Sequence, residues 1–222
     1  MSSATITTSA RLMNSTPQTE EQAMVRKVAV SSFLGNFIEW FDYASYSYFA
    51  TTIALVFFPT DNHTVAMLQT FGVFALSFIL RPIGALFWGS YGDKKGRKAA
   101  LAHSIMFMSG ASFLIGCLPS YSVIGVGAPI LLLLLRMVQG FSASGEYAGA
   151  ATFLGEYAPT SKRGIYCSLI PASTAIGLLA GSTLATLMTA NMNSSAMVGW
   201  GWRVPFLLAG PLGLIVLYIR AK

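Results

Sequence analysis

Long apolar runs dominate the chain and are separated by short polar stretches. Six runs have at least 18 residues each, at 28–58, 65–91, 99–118, 128–157, 165–190 and 202–219. A helix needs about 20 mostly apolar residues to cross the hydrocarbon core of a bilayer. Because the runs lack the strict alternation typical of a membrane β-barrel, the pattern predicts an all-α integral membrane protein with six transmembrane helices.

Composition agrees with this fold class. Of the 222 residues, 54% are hydrophobic and only 10% are charged, whereas about a quarter of the residues of a soluble domain are charged. Cys117 and Cys167 both lie inside apolar runs, and two such thiols provide neither a disulfide framework nor a cysteine metal site. We therefore expect no soluble enzyme domain and no cofactor.

Outside the predicted spans, the basic residues lie in alternate loops, and the net charge of the chain is +6. They precede the first run, fill 94–98, recur at 162–163 and end the sequence at 220–222, whereas 59–64, 119–127 and 191–201 contain no Lys or Arg. Positively charged loops stay in the cytoplasm, so the distribution predicts that both termini are cytoplasmic. Nucleic-acid binding is not expected, because no basic stripe with stacking aromatics occurs.

The first 25 residues differ from the rest of the chain. Residues 1–25 are rich in Ser and Thr and contain no apolar run, so they do not resemble a signal peptide. Their composition predicts a disordered cytoplasmic tail. Residues 26–222 then form the six-helix transmembrane bundle.

Ionisable residues inside the predicted spans are the main functional signal. A charge near the bilayer centre costs about 2.5–3.5 kcal/mol on insertion scales, so such residues are usually functional or paired. They are Glu39 and Asp42 in the first span, Arg81 in the second, and Arg136 and Glu146 in the fourth.

Glu39 and Asp42 are three residues apart, so they share one face of the first helix. The same face carries further polar residues: Asn36, Tyr43 and Tyr46. Such a stripe cannot face lipid, and we expect it on the side that a second half of the protein would cover. Two interpretations remain open. The carboxylates pair with arginines only to hold the bundle together, or they line a path for protons or substrate.

The fourth span carries a second polar segment. Gln139 follows Arg136 by three positions and lies beside it on the helix. Glu146 lies about 15 Å further along the helix axis and points in another direction. Arg136 and Glu146 are therefore not expected to bond to each other.

The loop between the second and third spans has the pattern Gly89-x-x-x-Asp93-Lys94-x-Gly96-Arg97-Lys98. It is not a phosphate-binding P-loop, because it lacks the Gly-Lys-Ser/Thr sequence and joins two membrane spans. Its glycines allow a tight turn. We expect Arg97 to lie near Asp93 and Glu156 and to form an electrostatic latch.

These motifs together resemble the major facilitator superfamily. The loop pattern lies where that family has its signature, although Ala99 replaces the final basic residue. Two further strings resemble family motifs: Arg136-x-x-Gln139-Gly140 and Glu156-Tyr-Ala-Pro159-x-x-Lys-Arg163-Gly164. Others resemble the metabolite:proton symporter subfamily: Gly35-Asn36-Phe-Ile-Glu39-Trp40-Phe41-Asp42-Tyr43, Arg81-Pro82-Ile-Gly84, Gly145-Glu146-Tyr147 and Gly199-Trp-Gly-Trp202-Arg203-Val-Pro205-Phe206. The stretch from Gly145 to Gly164 is similar to the proline/betaine type.

The resemblance implies a multi-pass transporter of the cell inner membrane. Its substrate would be a small polar metabolite, such as an osmolyte or organic acid, and a proton would be the coupling ion. Glu39 and Asp42 are then the candidates for proton coupling. Substrate or cavity contacts are expected from Asn36, Tyr43, Tyr46, Arg81, Arg136, Gln139 and Glu146, and the cytoplasmic latch comprises Gly89, Asp93, Gly96, Arg97, Glu156 and Arg163.

The number of spans is the main departure from that family. Its members have twelve spans in two halves, each half built from two inverted three-helix repeats, and this chain resembles the N-terminal half alone. A fragment, a truncated gene product and half of a split transporter all remain open. The alternative function is a truncated, non-transporting membrane remnant. A channel is disfavoured because no filter-like loop occurs, and no nucleophile–base or metal motif supports an intramembrane enzyme.

Overall fold

A computed structural model describes the backbone of residues 15–221 and the side chains of residues 22–220. This part of the chain is helical and contains no strand. Its α-helices are α1 Ser15–Tyr48, α2 Ala50–Phe57, α3 His63–Ile79, α4 Arg81–Lys95, α5 Arg97–Cys117, α6 Tyr121–Ile124, α7 Gly127–Ala143, α8 Glu146–Tyr157, α9 Arg163–Cys167, α10 Leu169–Asn191, α11 Ser194–Gly199 and α12 Val204–Ala221. Two short 3₁₀ turns, Thr160–Lys162 and Gly201–Arg203, precede α9 and α12.

The helices follow the six predicted runs, and four of the runs are formed by two successive helices. Five segments of the described chain are long and apolar enough to cross a membrane: His63–Lys95, Arg97–Cys117, Gly127–Tyr157, Thr160–Asn191 and Gly201–Arg220. The first run, formed by α1 and α2, is not among them. Its polar stripe lowers its hydropathy, and neighbouring helices rather than lipid surround most of it.

Helix α1 is the central element of the bundle. It packs along α10, α12 and α8. Two glycines of α10 allow the closest approach, since a Cβ atom on Gly177 would lie 2.7 Å from the carbonyl oxygen of Phe37 and one on Gly181 would lie 2.6 Å from the Cβ of Ala44. Small residues at a helix interface let backbones approach closely. The polar side chains of α1 are therefore enclosed by other helices.

Two breaks between successive helices place charged residues inside the bundle. Helix α3 ends at Ile79 and α4 begins at Arg81, with Pro82 in its first turn. A proline disfavours helical geometry at the preceding residue and has no N–H to donate to the previous turn, so it starts a helix readily but does not continue one. Helix α8 begins at Glu146, directly after Gly145 and without a proline in its first turn. Arg81 and Glu146 thus both lie at helix starts.

The predicted tail is partly wrong. Helix α1 begins at Ser15, so residues 15–25 are helical, while residues 1–14 lie outside the described residues. The Ser and Thr residues of this region all precede residue 20, and the sequence from 20 to 24 is Glu-Glu-Gln-Ala-Met. These are strong helix formers, and adding turns to an existing helix requires no new nucleation.

The largest apolar core fills one end of the bundle. It contains Phe49, Phe57, Leu132, Trp202 and Phe206, all fully or almost fully buried. The rings of Phe57 and Trp202 meet edge to face with centroids 5.2 Å apart, a favourable geometry for aromatic pairs. The basic loops lie at the opposite end, which we call the basic end. The polar residues of α1 lie between the two.

Candidate functional site

The first charged pair joins α1 to α4. Glu39 is 1% exposed, and its Oε1 lies 2.5 Å from Nη2 of Arg81, whose side chain is 26% exposed. The same nitrogen donates a hydrogen bond to the hydroxyl oxygen of Tyr43. The guanidinium carbon also lies 4.7 Å from the ring centre of Phe78. Arg81 is therefore held by a carboxylate, a phenol and an aromatic face, and it is the most accessible charge of the site.

The second pair joins α1 to α7 and is fully enclosed. Nη1 of Arg136 lies 2.7 Å from Oδ2 of Asp42, and the two side chains are 1% and 4% exposed. The guanidinium carbon lies 3.8 Å from the ring centre of Tyr46, a distance at which cation–π attraction is strong. The Tyr46 hydroxyl donates to the carbonyl oxygen of Thr70 at 2.9 Å. Tyr46 thus links this pair to α3.

The third pair joins α8 to the last turn of α12. Nη1 of Arg220 lies 3.3 Å from Oε2 of Glu146, and Nη2 contacts Oε1. Arg220 also donates to the carbonyl oxygens of Ser31 and Leu101, and Ser104 donates to Glu146 at 3.2 Å. One buried arginine therefore connects α12 with α1, α5 and α8. Arg136 and Glu146 have different partners, as their positions on the helix require.

Sequence reasoning missed Arg220. Its position at the end of the last apolar run indicates only a basic residue that marks membrane orientation. The structure leaves it 5% exposed. The available signal was an unmatched carboxylate: Glu39 and Asp42 had two expected arginines, whereas Glu146 had none. A third arginine within a span or at its end was therefore needed.

The two amides of the candidate site act as links between helices. Asn36 donates from Nδ2 to the hydroxyl oxygens of Ser173 and Thr174, each at 2.8 Å, and to a carbonyl oxygen of α10. Gln139 donates to the hydroxyl oxygen of Ser112 on α5 at 2.5 Å. Both amides therefore hold neighbouring helices together: Asn36 links α1 to α10, and Gln139 links α7 to α5.

The predicted orientation of the polar stripe is wrong. Asn36, Glu39, Asp42, Tyr43 and Tyr46 are all between 0% and 7% exposed within this six-helix bundle, so they do not form the face that a second half would cover. The physical reason is that neighbouring helices supply an arginine for each carboxylate and hydrogen-bond acceptors for the amide and the Tyr46 hydroxyl. The partly or fully exposed face of α1 is largely apolar and carries Val30, Phe33, Leu34, Phe37 and Trp40.

The first two pairs retain unsatisfied polar atoms. Within the described part of the chain, no hydrogen-bond partner is found for Oε2 of Glu39, Oδ1 of Asp42, or Nε and Nη2 of Arg136. A buried polar group without a partner costs about 1–3 kcal/mol, and more when it is charged. Both pairs therefore have capacity for a further ligand, such as a proton on the carboxylate or an anion on the guanidinium.

The charged residues at the basic end form a looser cluster. Nη2 of Arg97 lies 3.6 Å from Oδ1 of Asp93, and its Nε lies 3.9 Å from Oε1 of Glu156. All three side chains are substantially exposed. Gly96 has φ +92°, a conformation that L residues rarely adopt, so it turns the chain between α4 and α5. No ion pair of Arg163 occurs among the described side chains, and a Cβ on Gly89 would meet no described atom within 4 Å.

Gly35 provides the space for the third pair and supports a stability prediction. A Cβ atom there would lie 2.0 Å from Oε1 of Glu146 and 2.6 Å from Nη2 of Arg220. We expect Gly35→Ala to lower the free energy of unfolding by about 1–3 kcal/mol, the usual range for overpacking. Chemical or thermal unfolding of the purified chain in detergent measures the change.

The matched control is Gly110→Ala. Gly110 lies in the middle of α5, and a Cβ added there would meet no neighbouring atom of the described residues within 4 Å. At this position the same substitution should raise the free energy of unfolding by about 0.5–1 kcal/mol through helix propensity. If both variants change stability in the same direction, the tight fit at Gly35 is not the cause.

Known proteins resemble this chain in sequence over most of its length. It matches the family described as Sugar (and other) transporter over residues 27–222. It is 44% identical over 200 residues to the glycine betaine/proline/ectoine/pipecolic acid transporter OusA of Dickeya dadantii. It is 42% identical over 200 residues to the proline/betaine transporter of Escherichia coli. Both alignments cover 90% of this chain but only 40% of the relative, so the chain spans less than half the length of these relatives.

Solved structures show the same fold. The proton:xylose symporter XylE bound to 6-bromo-6-deoxy-D-glucose is similar with a TM-score of 0.79 and 16% identity, over 90% of this chain and 45% of that chain. A partially occluded, inward-open form of XylE from E. coli gives the same TM-score at 17% identity, over 89% of this chain and 49% of that chain. The predicted likeness to half of a major facilitator fold, of the proline/betaine type, is therefore confirmed. This chain is a multi-pass membrane protein that belongs to the Sugar (and other) transporter family and has the fold of half a major facilitator transporter.

Proposed function

We propose that this chain forms the N-terminal half of a proton-coupled transporter for a small polar metabolite, an osmolyte such as proline or betaine. The membrane would be the cell inner membrane, with both termini in the cytoplasm. The observation that carries the proposal is the presence of two buried carboxylates, Glu39 and Asp42, each paired with an arginine, Arg81 or Arg136, in pairs that retain unpartnered polar atoms. A pair that served only to hold helices together would be more stable if these polar atoms also had hydrogen-bond partners.

The pairs suggest how proton and substrate binding are coupled. While the carboxylate is charged, it holds the guanidinium. Protonation of the carboxylate removes that attraction and leaves the arginine free to bind another anion. The carboxylate group of an amino-acid-like osmolyte is such an anion, and arginine binds carboxylates with two parallel hydrogen bonds. Proton binding at Glu39 or Asp42 would then favour substrate binding at the released arginine.

The two arginines differ in how they are reached. Arg81 is 26% exposed, whereas Arg136 is 1% exposed. We infer that a substrate carboxylate contacts Arg81 first, at the edge of the bundle, and reaches Arg136 only after the helices move. Tyr43 and Phe78 flank the Arg81 guanidinium and would restrict the directions from which a substrate approaches it.

The loose cluster at the basic end suits a conformational latch. Its two contacts, at 3.6 and 3.9 Å, join exposed side chains, and exposed ion pairs contribute about 0–1 kcal/mol each. Interactions of this size bias an equilibrium between two conformations without locking it. In the proposed transporter, Asp93, Arg97 and Glu156 would favour the conformation that is closed at the cytoplasmic side.

The experiment that tests this function supplies a C-terminal half from a relative. Residues 1–222 are fused to the C-terminal half of the E. coli proline/betaine transporter and expressed in cells that lack osmolyte uptake. We expect uptake of proline or betaine that a protonophore abolishes. In this chimera, Glu39→Gln and Asp42→Asn should each reduce accumulation to the level of protonophore-treated cells, because the amide can no longer gain or lose the coupling proton.

Two comparisons separate coupling from folding. Exchange of labelled for unlabelled substrate requires no net proton movement, so it should continue in both variants while accumulation is lost. Asp61→Asn makes the same chemical change at an exposed loop position and should leave accumulation intact. Unchanged pH-dependent uptake in both Glu39→Gln and Asp42→Asn would remove these residues from the coupling role.

A further inference from the structure

The buried pair of Glu146 and Arg220 lies between the basic end of the bundle and Glu39. Helix α1 carries a series of residues at intervals of four positions: Lys27, Ser31, Gly35 and Glu39. They occupy successive turns, each about 6 Å further from the basic end. The Glu146 carboxylate fills the space beside Gly35, where a Cβ atom would overlap with it. Glu146 therefore lies one turn of α1 from Glu39.

A cavity of about 390 Å³ leads from the basic end to Arg220. It is enclosed by α1, α5, α8 and α12, and Lys27, Tyr157 and Arg220 are among its lining residues. Lys27 and Tyr157 are exposed, whereas Arg220 is buried. Glu146 does not line the cavity. The Arg220 guanidinium therefore separates the Glu146 carboxylate from a space that solvent can enter.

Arg220 is the main partner of Glu146. It binds both carboxylate oxygens and also donates to backbone carbonyl oxygens of α1 and α5. From α5, Ser104 donates to Oε2 of Glu146 at 3.2 Å. From α1, the Glu39 carboxylate is near enough for the two negative charges to repel each other. Among the described residues, no titratable side chain of α7 or α9 bonds to Glu146, and α10 has none.

Two buried hydroxyls lie within one helical turn of Glu146 or of Gly35. Ser142 comes four positions before Glu146, on the side away from the basic end, and Ser32 comes three positions before Gly35, on the side towards it. Both side chains are at most 1% exposed, and neither hydroxyl has a hydrogen-bond partner among the described residues. A hydroxyl both donates and accepts, so it can take up one proton while it releases another.

We propose that Glu146 relays a proton between Glu39 and the basic end, and that Arg220 is the positioning residue that controls this relay. The proposal rests on the transport function proposed above. When Arg220 turns into the cavity, the Glu146 carboxylate becomes an unpaired buried charge, which is costly. The proton of the Glu39 carboxylic acid then moves to Glu146, directly or through the Ser142 hydroxyl. One O–H bond breaks at Glu39, and one forms at Glu146.

The relay ends when the proton leaves Glu146. Arg220 returns to the carboxylate, and the proton passes to water in the cavity as the ion pair re-forms. Glu39 is then charged and holds Arg81 again. One proton has moved from Glu39 to the basic end, which is the cytoplasmic side of the proposed transporter, and both carboxylate–arginine pairs are restored.

The first test asks whether Glu146 takes up a proton when Arg220 is removed. The purified 222-residue chain in dodecyl maltoside micelles is treated with dicyclohexylcarbodiimide, which modifies protonated carboxylic acids in apolar surroundings, and mass spectrometry locates the modified residues. In Arg220→Gln we expect roughly tenfold more modification of Glu146 than in the unsubstituted chain, because a neighbouring opposite charge favours the charged form by that factor or more. The modification should decrease as the pH rises.

The matched control is Lys27→Gln. Lys27 lines the same cavity and is exposed, and it forms no ion pair among the described residues. The substitution removes one positive charge from the cavity and leaves the pair of Glu146 and Arg220 intact. Modification of Glu146 should therefore stay at the level of the unsubstituted chain.

The second test measures uptake by the chimera described above. In Glu146→Leu/Arg220→Met, apolar residues of similar volume replace the whole pair, a change that often leaves stability nearly unaltered. We expect accumulation of proline or betaine to fall to the level of protonophore-treated cells, while exchange of labelled for unlabelled substrate continues. If the pair only held helices together, this variant would keep its accumulation.

Three results would overturn the relay. The first is modification of Glu146 that does not increase in Arg220→Gln, and the second is an equal increase in Lys27→Gln. The third is full accumulation by the chimera that lacks the pair. An unsubstituted chimera that transports nothing would instead contradict the proposed transport function. The modification of the chain alone would still decide whether Glu146 takes up a proton when Arg220 leaves.

Discussion

Arg136→Ala is expected to lower the free energy of unfolding of the chain by about 3–5 kcal/mol, the cost of leaving one partner of a buried ion pair alone. Asp42 is 4% exposed and Arg136 is 1% exposed, so water cannot take the place of the guanidinium without opening the bundle. The substitution also removes the cation from the face of the Tyr46 ring, 3.8 Å away. Denaturant-induced unfolding of the purified chain in detergent micelles measures the effect.

Removal of both charges should cost much less. In Asp42→Leu/Arg136→Met, neither side chain carries a charge that needs a partner, and replacing a whole buried ion pair by apolar residues of similar volume is often nearly neutral. The matched control for a lost arginine is Arg97→Ala, whose two contacts are exposed and long. Its effect should stay within about 1 kcal/mol. If Arg136→Ala were as mild as Arg97→Ala, the interior around Asp42 would have to be hydrated.

The ranking of these three variants also bears on the two interpretations of the charged residues. If the pairs served only to hold the bundle together, the neutral double variant would keep both fold and activity. If they couple proton and substrate binding, the double variant would keep the fold and lose accumulation. Stability and transport measurements on the same variant therefore separate the structural contribution of Asp42 and Arg136 from their functional one.

Hydrophobicity was sufficient to predict five of the spans in the described part of the chain. The bilayer sets the length of an apolar helix, so the runs at 99–118 and 202–219 predict helices that the structure places at Arg97–Cys117 and Val204–Ala221. The start of α1 was harder to predict. Helix-forming residues such as Gln22 and Ala23 extend it beyond the apolar run, and span prediction from hydropathy alone ignores helix propensity.

The pairing of charges was only partly predictable. The cost of burying Glu39 and Asp42 requires partners, and the arginines at 81 and 136 were the available ones. The direction of the stripe could not be derived in the same way. A polar face must avoid lipid, but periodicity does not say which neighbouring helix covers it. That depends on the packing of α1 against α10, where Gly177 and Gly181 allow close contact.

The 222-residue chain by itself is expected to show no concentrative transport. In transporters with this fold, alternating access moves one six-helix half against the other around a site between them. The charged pairs of this chain are enclosed within a single half, and the exposed face of α1 is largely apolar, with Val30 and Phe33 among its residues. One bundle therefore lines only one side of a substrate path, and it has no second bundle to move against.

Reconstitution tests this expectation directly. The purified chain is placed in proteoliposomes, a proton gradient is imposed, and uptake of proline, betaine, α-ketoglutarate and shikimate is measured against empty vesicles. We expect no difference from the empty vesicles, whereas the chimera with a second half should accumulate proline or betaine under the same gradient. An inactive chimera that is folded and inserted would favour the non-transporting remnant. Saturable, gradient-dependent accumulation by the chain alone would show that two copies assemble into a complete path, because a second bundle would then supply the missing wall.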